Sequence, residues 1–363
     1  MVTNRRIAVV MAGGSGERFW PLSRVGRPKQ LLRLADAEGT LLEHALQRAA
    51  GLADTQDVYI ATTQSLQAAI EETDLADPSH VLSEPAKRNT LGCMAWVAAT
   101  LIARFPSDWE NLTLAVLTAD HLIQPVEGFL ETAREAMNFA EGSAGLVTIG
   151  ITPTRPETGF GYIEVESPLT EENRARQVLA FREKPYQDLA DEYFASGRHL
   201  WNSGMFFWTL KTFMSELREA FGPAHSTVQR IAESLAAGHA DEAERQFAEL
   251  PNISIDYALL ERSDSVYVIK AGFAWDDVGT YDALSRTMRT DGAGNVVFGK
   301  ALALRSSGSV IYNEDADAVV CALGVHGLVV VVSDGAVLVC PQHEAQHVRD
   351  IVAKLRENHP EHL

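Results

Sequence analysis

An apolar run, Ile7-Ala8-Val9-Val10-Met11, leads directly into AGGSGERFWPLSRVGRPKQL, the stretch from Ala12 to Leu31. No other part of the chain limits its possible folds so tightly. A buried strand that empties into a glycine-rich loop is the opening of an α/β fold, whose ligands bind at the carboxyl edge of the sheet. Gly13, Gly14 and Gly16, with Ser15 between them, let backbone N–H groups turn toward an anion with no Cβ in the way. Arg18 and Lys29 add two cations near that loop, which suits a polyphosphate better than a neutral ligand. A P-loop requires Gly-Lys-Ser/Thr after the turn, whereas Gly16 is followed by Glu17 and Arg18. A dinucleotide fingerprint requires a third glycine where Phe19 stands. Asp36 lies about 20 residues on, the spacing of a ribose-binding acid, but it sits beside a turn.

The rest of the composition narrows the partners. A chain of 363 residues can bury a large core and fits one big domain plus an appendage. Its net charge of −18 argues against nucleic acid or an anionic membrane as a bulk partner. Substrate phosphates must then be met by local cations and metal. Cys93, Cys321 and Cys340 show no metal-ligand or redox spacing, and buried free thiols are the expectation for Cys93 and Cys340. The amino-terminal apolar run ends in Gly13-Gly14 with charge following, unlike a signal peptide, and no stretch reaches membrane-spanning length. A cytoplasmic protein is expected.

Strand candidates Ile7–Ala12, Val58–Thr62, His80–Leu82, Leu112–Leu117 and Leu146–Gly150 alternate with helical segments, the pattern of a sheet with helices on both faces. Thr40-Leu41-Leu42-Glu43 reads as a capping box opening a helix through Ala50. Asn89-Thr90 offers an N-cap for a helix toward Phe105 that is apolar almost all round, and so buried. From Ile151 to Thr209 the pattern shifts to shorter strands with loops, followed by amphipathic helices over 210–250. After Gly292, short strands separated by Gly, Asn or Asp turns suit a small, solenoid-like β-domain with a closing helix over 343–359. The boundary expected on this reading separates 1–290 from 291–363.

Asp120 follows the Leu112–Leu117 strand, where a carboxylate can hold Mg²⁺ against phosphates or merely cap a turn. In Trp275-Asp276-Asp277-Val278-Gly279, Asp277 fits a second ligand or a helix cap equally well. Glu84-Pro85-Ala86-Lys87-Arg88-Asn89-Thr90 ends at a helix N-terminus with free N–H groups; Glu84 can accept from a ligand or pair with Arg88, and Asn89 and Thr90 can contact a ligand or serve the helix. Gly161 lies in a Gly-rich strand where a ligand can approach the backbone closely. Glu183 and Lys184 set an acid and a cation side by side at a strand end, to serve a ligand or form a solvated ion pair. Asn202 offers a two-sided amide. Asp256, in SIDYALLE, reads as the opening of a helix.

Taken together, Ala12–Leu31, Glu84–Thr90, Phe181–Phe206 and Ile253–Leu284 resemble the sugar-1-phosphate nucleotidyltransferases, nearest to their guanylyltransferase branch that acts on mannose 1-phosphate. The resemblance implies a Rossmann-like mixed α/β sheet flanked by helices, with a small C-terminal β-domain of the left-handed β-helix kind. It implies transfer of GMP from GTP to mannose 1-phosphate with Mg²⁺ as cofactor, and a homo-oligomer, a dimer first of all. It assigns metal to Asp120 and Asp277, choosing Asp277 over Asp276 because the family's aspartate stands directly before Val-Gly. Arg18, Lys29, Asp120 and Lys184 become the catalytic set, Gly13–Gly16, Glu84, Asn89 and Thr90 the nucleotide side, and Gly161, Glu183, Lys184 and Asn202 the sugar-phosphate side. Three alternatives remain: another nucleotide–sugar pair such as GDP-heptose, a non-catalytic nucleotide-sugar sensor, and a dehydrogenase. The length fits the guanylyltransferase alone rather than its longer bifunctional forms.

Overall fold

The computed structural model describes residues 4–34, 39–168 and 174–363; Asp36, weighed above for a dinucleotide site, lies outside them. The chain forms two compact units that do not follow sequence order. One comprises Met1–Met11, Leu46–Thr118 and Ile123–Ala274, the other Ala12–Ala45, Ala119–Leu122 and Trp275–Leu363.

The first unit is built on a mixed sheet, ten-stranded among the described residues. Val81–Glu84, Val58–Thr63, Arg5–Met11 and Leu112–Thr118 lie side by side and parallel, with Val9 opposite Tyr59 on one side and Val116 on the other. Such strands are covered on both faces, which is why they read as unbroken apolar runs rather than alternating ones. Next comes His199–Thr209, antiparallel to Leu112–Thr118 and to Leu146–Ile151. Val266–Lys270 then runs parallel to Leu146–Ile151, and Ala175–Gln177 pairs with it antiparallel. A side ribbon, Gly161–Glu164, pairs with both the start of His199–Thr209 and Ala180–Glu183. The sequence pattern foresaw the parallel half but not His199–Thr209 as one strand through the sheet's middle.

The apolar helix is present as Asn89–Arg104, with Leu91, Met94, Ala95, Ala98 and Leu101 in the core beside Ile7, Val9 and Val116. Its start corrects the sequence reading. Asn89 is the first helical residue and not the cap; its φ is 58°, and its side chain accepts from the Thr90 N–H. The expected capping box is formed, with Thr40 N–H donating to Glu43 and Glu43 N–H to the Thr40 hydroxyl. The 210–250 region is three helices, Leu210–Ala220, Gly222–Ala236 and Ala240–Phe247.

The second unit joins the glycine-rich loop to a β-coil. Val296–Phe298, Val310–Asn313 and Leu328–Ser333 stack in parallel, and a second parallel pair is made by Ala301–Leu304 with Val320–Leu323. Ala336–Pro341 closes the first stack antiparallel. Asn313 holds a turn of the coil from inside, its amide donating to Lys300 O and Ala318 O. The closing helix is Val348–Asn358. This unit's core packs Phe19, Trp20, Leu22, Leu32 and Leu34 against Val278, Tyr281, Val310, Tyr312, Val331 and Val348. All three cysteines are free; Cys93 and Cys340 are partly buried and Cys321 is exposed. Among the described residues, no helix is long and apolar enough to cross a membrane.

Candidate active site

In the second unit the glycine loop is shaped by its own hydrogen bonds. Gln30 is buried and donates to Ala12 O at 2.9 Å, and the Ser23 hydroxyl donates to Ser15 O at 2.8 Å. Tyr281, also buried, donates to Phe19 O at 2.7 Å. Gly16 has φ 69°, and a Cβ there would stand 2.3 Å from Lys29 Cβ. Glycine is therefore required twice over, by backbone conformation and by the passage of Lys29. Gly14 and Ser15 are exposed, Gly13 less so. Arg18 is exposed, and its side chain has no hydrogen-bond or ion-pair partner among the described residues.

Lys29 is the hub of this unit. Only 7% exposed, it donates from Nζ to Asp120 Oδ2 at 2.8 Å and to Asp277 O at 2.7 Å. Burial works to raise the Asp120 carboxyl, but Lys29 and His121 outweigh it and hold the group below the usual carboxylate range. Burial pushes the Asp277 carboxyl up to about 6; Lys29 opposes this, while Asp276 and Asp120 add to it. Asp276 is otherwise engaged: it accepts from Val278 N–H at 2.8 Å and pairs with Arg286 at 2.9 Å. Asp276 thus has both carboxylate oxygens committed within the protein. Asp277 does not serve as a cap: the short turn Tyr281–Ala283 has Thr280 before it, with no side-chain capping bond.

Asp120 and Asp277 offer carboxylate oxygens, the donor type a hard divalent cation takes, and among the described residues no cluster of three or more metal-ligating side chains is present. Mg²⁺ takes oxygen ligands and is commonly held by one or two carboxylates plus substrate phosphates. A carboxyl driven up by burial and by two neighbouring acids is a group short of positive charge. His121 was not singled out in the sequence. It lies directly after Asp120, with Nε2 3.7 Å from Asp120 Oδ1, and its Nδ1 accepts from Trp275 Nε1 at 3.0 Å. That bond leaves Nε2 as the protonated nitrogen facing the carboxylate.

In the first unit, Glu84 ends the strand Val81–Glu84, is 6% exposed, and its Oε2 has no hydrogen-bond partner among the described residues. It does not pair with Arg88, which instead donates to Ala248 O at 3.0 Å. Burial pushes the Glu84 carboxyl up to about 7, with Lys87 opposing. Because this folded value lies above the ordinary one, the contribution of Glu84 to stability is complete below about pH 4.3 and is lost as pH rises through 7. Glu84→Gln fixes the neutral form. In urea melts the variant is expected to exceed the parent by about 3 kcal/mol at pH 8, with the gap closing by about pH 4. An equal gap at both pH values would contradict the assignment.

Thr90 has a structural duty, its hydroxyl accepting from Ile255 N–H at 2.8 Å. Asn89, as noted, bonds to its neighbour. Neither side chain stands unpaired, in contrast to Glu84.

Gly161, Glu183 and Asn202 do converge. Gly161 is the register partner of Glu183, and a Cβ on it would lie 2.6 Å from Glu183 Oε2 and 3.7 Å from Asn202 Cβ. Lys184 has φ 43° and pairs with Glu183 at 2.8 Å while staying largely exposed. Asn202 sits where the long strand changes register against Leu146–Ile151, between Asn202 and Phe206, a bulge of the kind that re-aims side chains. Its amide donates to Asp256 Oδ1 at 2.9 Å, and its Oδ1 accepts from Gly204 N–H at 3.2 Å. Asp256, left out of the sequence-derived set, thus belongs beside Asn202. Burial raises its carboxyl; the Asn202 bond opposes this and Glu183 adds to it. Asp256 does open a helix, Asp256–Leu260, as its segment reads; the bond from Asn202 is a second duty that the local pattern does not record.

A family model described as Nucleotidyl transferase matches residues 7–293. The chain belongs to the nucleotidyl transferase family. A second model, described as a MannoseP isomerase/GMP-like beta-helix domain, matches residues 299–355, over the parallel coil. Among relatives of this nucleotidyl transferase is the mannose-1-phosphate guanylyltransferase ManC of Salmonella typhimurium strain LT2, 35% identical over 365 residues, 98% of this chain and 74% of that protein. The mannose-1-phosphate guanylyltransferase of Klebsiella pneumoniae is 35% identical over 358 residues, 97% of this chain and 74% of its own. A crystal structure from Thermus thermophilus, described as a mannose-1-phosphate geranyltransferase, has a TM-score of 0.85 at 36% identity, covering 97% of this chain and 99% of that one. The mixed α/β fold with a C-terminal β-helix-like domain is thus shared across the family match.

Proposed function

We propose that this nucleotidyl transferase transfers GMP from GTP to α-D-mannose 1-phosphate, giving GDP-mannose and pyrophosphate. The observation that carries the reading is Lys29, bonded at once to the Asp120 carboxylate and to the Asp277 backbone behind a glycine loop. Relatives named mannose-1-phosphate guanylyltransferase over nearly the whole chain support the choice of substrates.

An oxygen of the sugar phosphate attacks the α-phosphorus of GTP in line. The new P–O bond forms as the bond to the bridging oxygen breaks, and pyrophosphate leaves from the opposite side. The nucleophile is already an anion, so the protein supplies positioning and charge neutralisation rather than a base. The glycine-loop N–H groups and Arg18 take the departing pyrophosphate; Lys29 neutralises the α-phosphate region and fixes Asp120. Asp120 and Asp277 would hold Mg²⁺, whose chemistry is to reduce repulsion between the two phosphate groups. Glu84 reads the guanine N1–H and amine. Glu183 and Asn202 meet hexose hydroxyls, and Lys184 anchors the incoming phosphate. Cytoplasmic residence and a dimeric state belong to the same proposal; three free cysteines and the exposed apolar residues Leu302, Leu304 and Leu323 of the β-domain support them.

The test is pyrophosphate release with Mg²⁺ across four nucleoside triphosphates and several hexose 1-phosphates. Selective release with GTP and mannose 1-phosphate is expected. Release with another pair keeps the chemistry and overturns the base or sugar assignment. A folded chain that binds GTP and releases nothing is a sensor.

A further inference from the structure

The segment between the glycines and Lys29 is held from far along the chain. Residues 24–27 close a tight hairpin, Arg24 N–H donating to Arg27 O and Arg27 N–H to Arg24 O, both at 3.0 Å. Both arginines bond to residues far along the chain. Arg27 makes a two-pronged ion pair with Glu314, at 2.6 and 2.9 Å. Arg24 donates to Ser333 O at 3.0 Å and to His362 O at 3.2 Å, and Trp20 donates to His362 O at 2.9 Å. Glu314 is itself fixed on the β-coil: its N–H donates to Val332 O at 3.0 Å, and its carboxylate accepts from the Ser333 hydroxyl at 3.2 Å.

The two arms of the hairpin lead to different parts of the phosphate-binding machinery. Arg24 follows Ser23, whose hydroxyl holds Ser15 O in the glycine loop. Arg27 precedes Pro28 and Lys29, and Lys29 in turn holds Asp120. A planar guanidinium against a carboxylate fixes orientation as well as distance. A hairpin whose tip residue, Val25, is 73% exposed has little other packing to set its position.

We infer that the β-coil is a working part of the nucleotide site, with Glu314 a positioning residue that acts through Arg27 to hold Lys29 and the glycine loop in their binding shape. This rests on the reading of that loop as the triphosphate cradle. If the loop is held in shape only part of the time, apparent affinity falls by that fraction. Glu314→Ala is expected to raise the Kd for GTP with Mg²⁺, measured by isothermal titration calorimetry, about tenfold. It is also expected to raise KM for GTP while leaving KM for mannose 1-phosphate within about twofold. Glu314→Gln, which keeps the shape, is expected to fall between. The exchanged pair Arg27→Glu with Glu314→Arg is expected to recover most of the affinity, which a loss of general stability would not do.

A parent that binds GTP and a folded Glu314→Ala variant that binds it equally well would overturn this inference alone. So would an equal rise in both KM values, or an exchanged pair no better than either single change. A parent that binds no GTP would overturn the proposed function and this inference with it.

Discussion

Asp120→Asn is expected to lower kcat/KM for pyrophosphate release by about 10³-fold or more, a loss of about 4 kcal/mol of transition-state stabilisation. Asparagine keeps an acceptor where Lys29 Nζ now finds Asp120 Oδ2 at 2.8 Å, so the hub that organises the second unit survives. What it removes is the negative charge. Asp120 holds Lys29, and on the proposed reading it also supplies a carboxylate to metal; Asn and Ala separate the two duties. If the carboxylate is what matters, both variants lose the rate alike, and excess Mg²⁺ recovers at most part of it. If Asp120 matters only as a partner for Lys29, Asn retains most of the rate and Ala alone is crippled. A folded Asp120→Asn chain with turnover within about tenfold of the parent would sink the metal assignment while leaving the hub intact. Thermal melts of both variants guard against loss of fold. The carboxylate is part-exposed, with 36% of its side chain accessible, so neither change leaves a large cavity.

Much of this site was legible because its residues answer local demands. The loop from Ala12 to Leu31 could be read because Gly16 has no alternative: a Cβ would strike Lys29. The parallel strands could be read because burial on both faces demands unbroken β-branched runs. Three features escaped, each for a definable reason. Asn202-Ser203-Gly204 has the composition of a turn, and only the neighbouring strands make it a bulge within His199–Thr209. Asp256 has a long-range duty, its bond to Asn202, which no periodicity records. The β-coil hid its period because its rung partners Val296, Val310 and Val329 are unequally spaced in sequence. Asn89 failed as a cap for a related reason. Its left-handed backbone turns its side chain onto Thr90 N–H, away from the next turn of the helix. Local chemistry can be read along the chain, whereas a partner many residues away has to be seen.

Arg18 offers the opposite case to Asp120, a residue with no structural work to lose. It is exposed, and no described residue bonds to its guanidinium, although it stands in a loop otherwise tied down at Ser15, Phe19 and Gln30. Surface substitutions without such ties usually change stability by no more than about 0.5 kcal/mol. Arg18→Ala is therefore expected to melt with the parent. Yet a cation that meets charge developing on a leaving pyrophosphate is worth about 10²- to 10³-fold in kcat. Arg18→Lys is expected to recover only part of this, because an ammonium gives up the planar two-pronged grip on phosphate oxygens. The split between kinetic constants carries the argument: a residue that binds GTP equally in the ground and transition states raises KM and spares kcat, whereas one serving the departing pyrophosphate lowers kcat. Measured kcat and KM for GTP, at saturating mannose 1-phosphate, decide between them. A fall confined to affinity, seen as a raised KM alone, moves Arg18 to ground-state binding of the triphosphate, and an unchanged rate removes it from the site altogether.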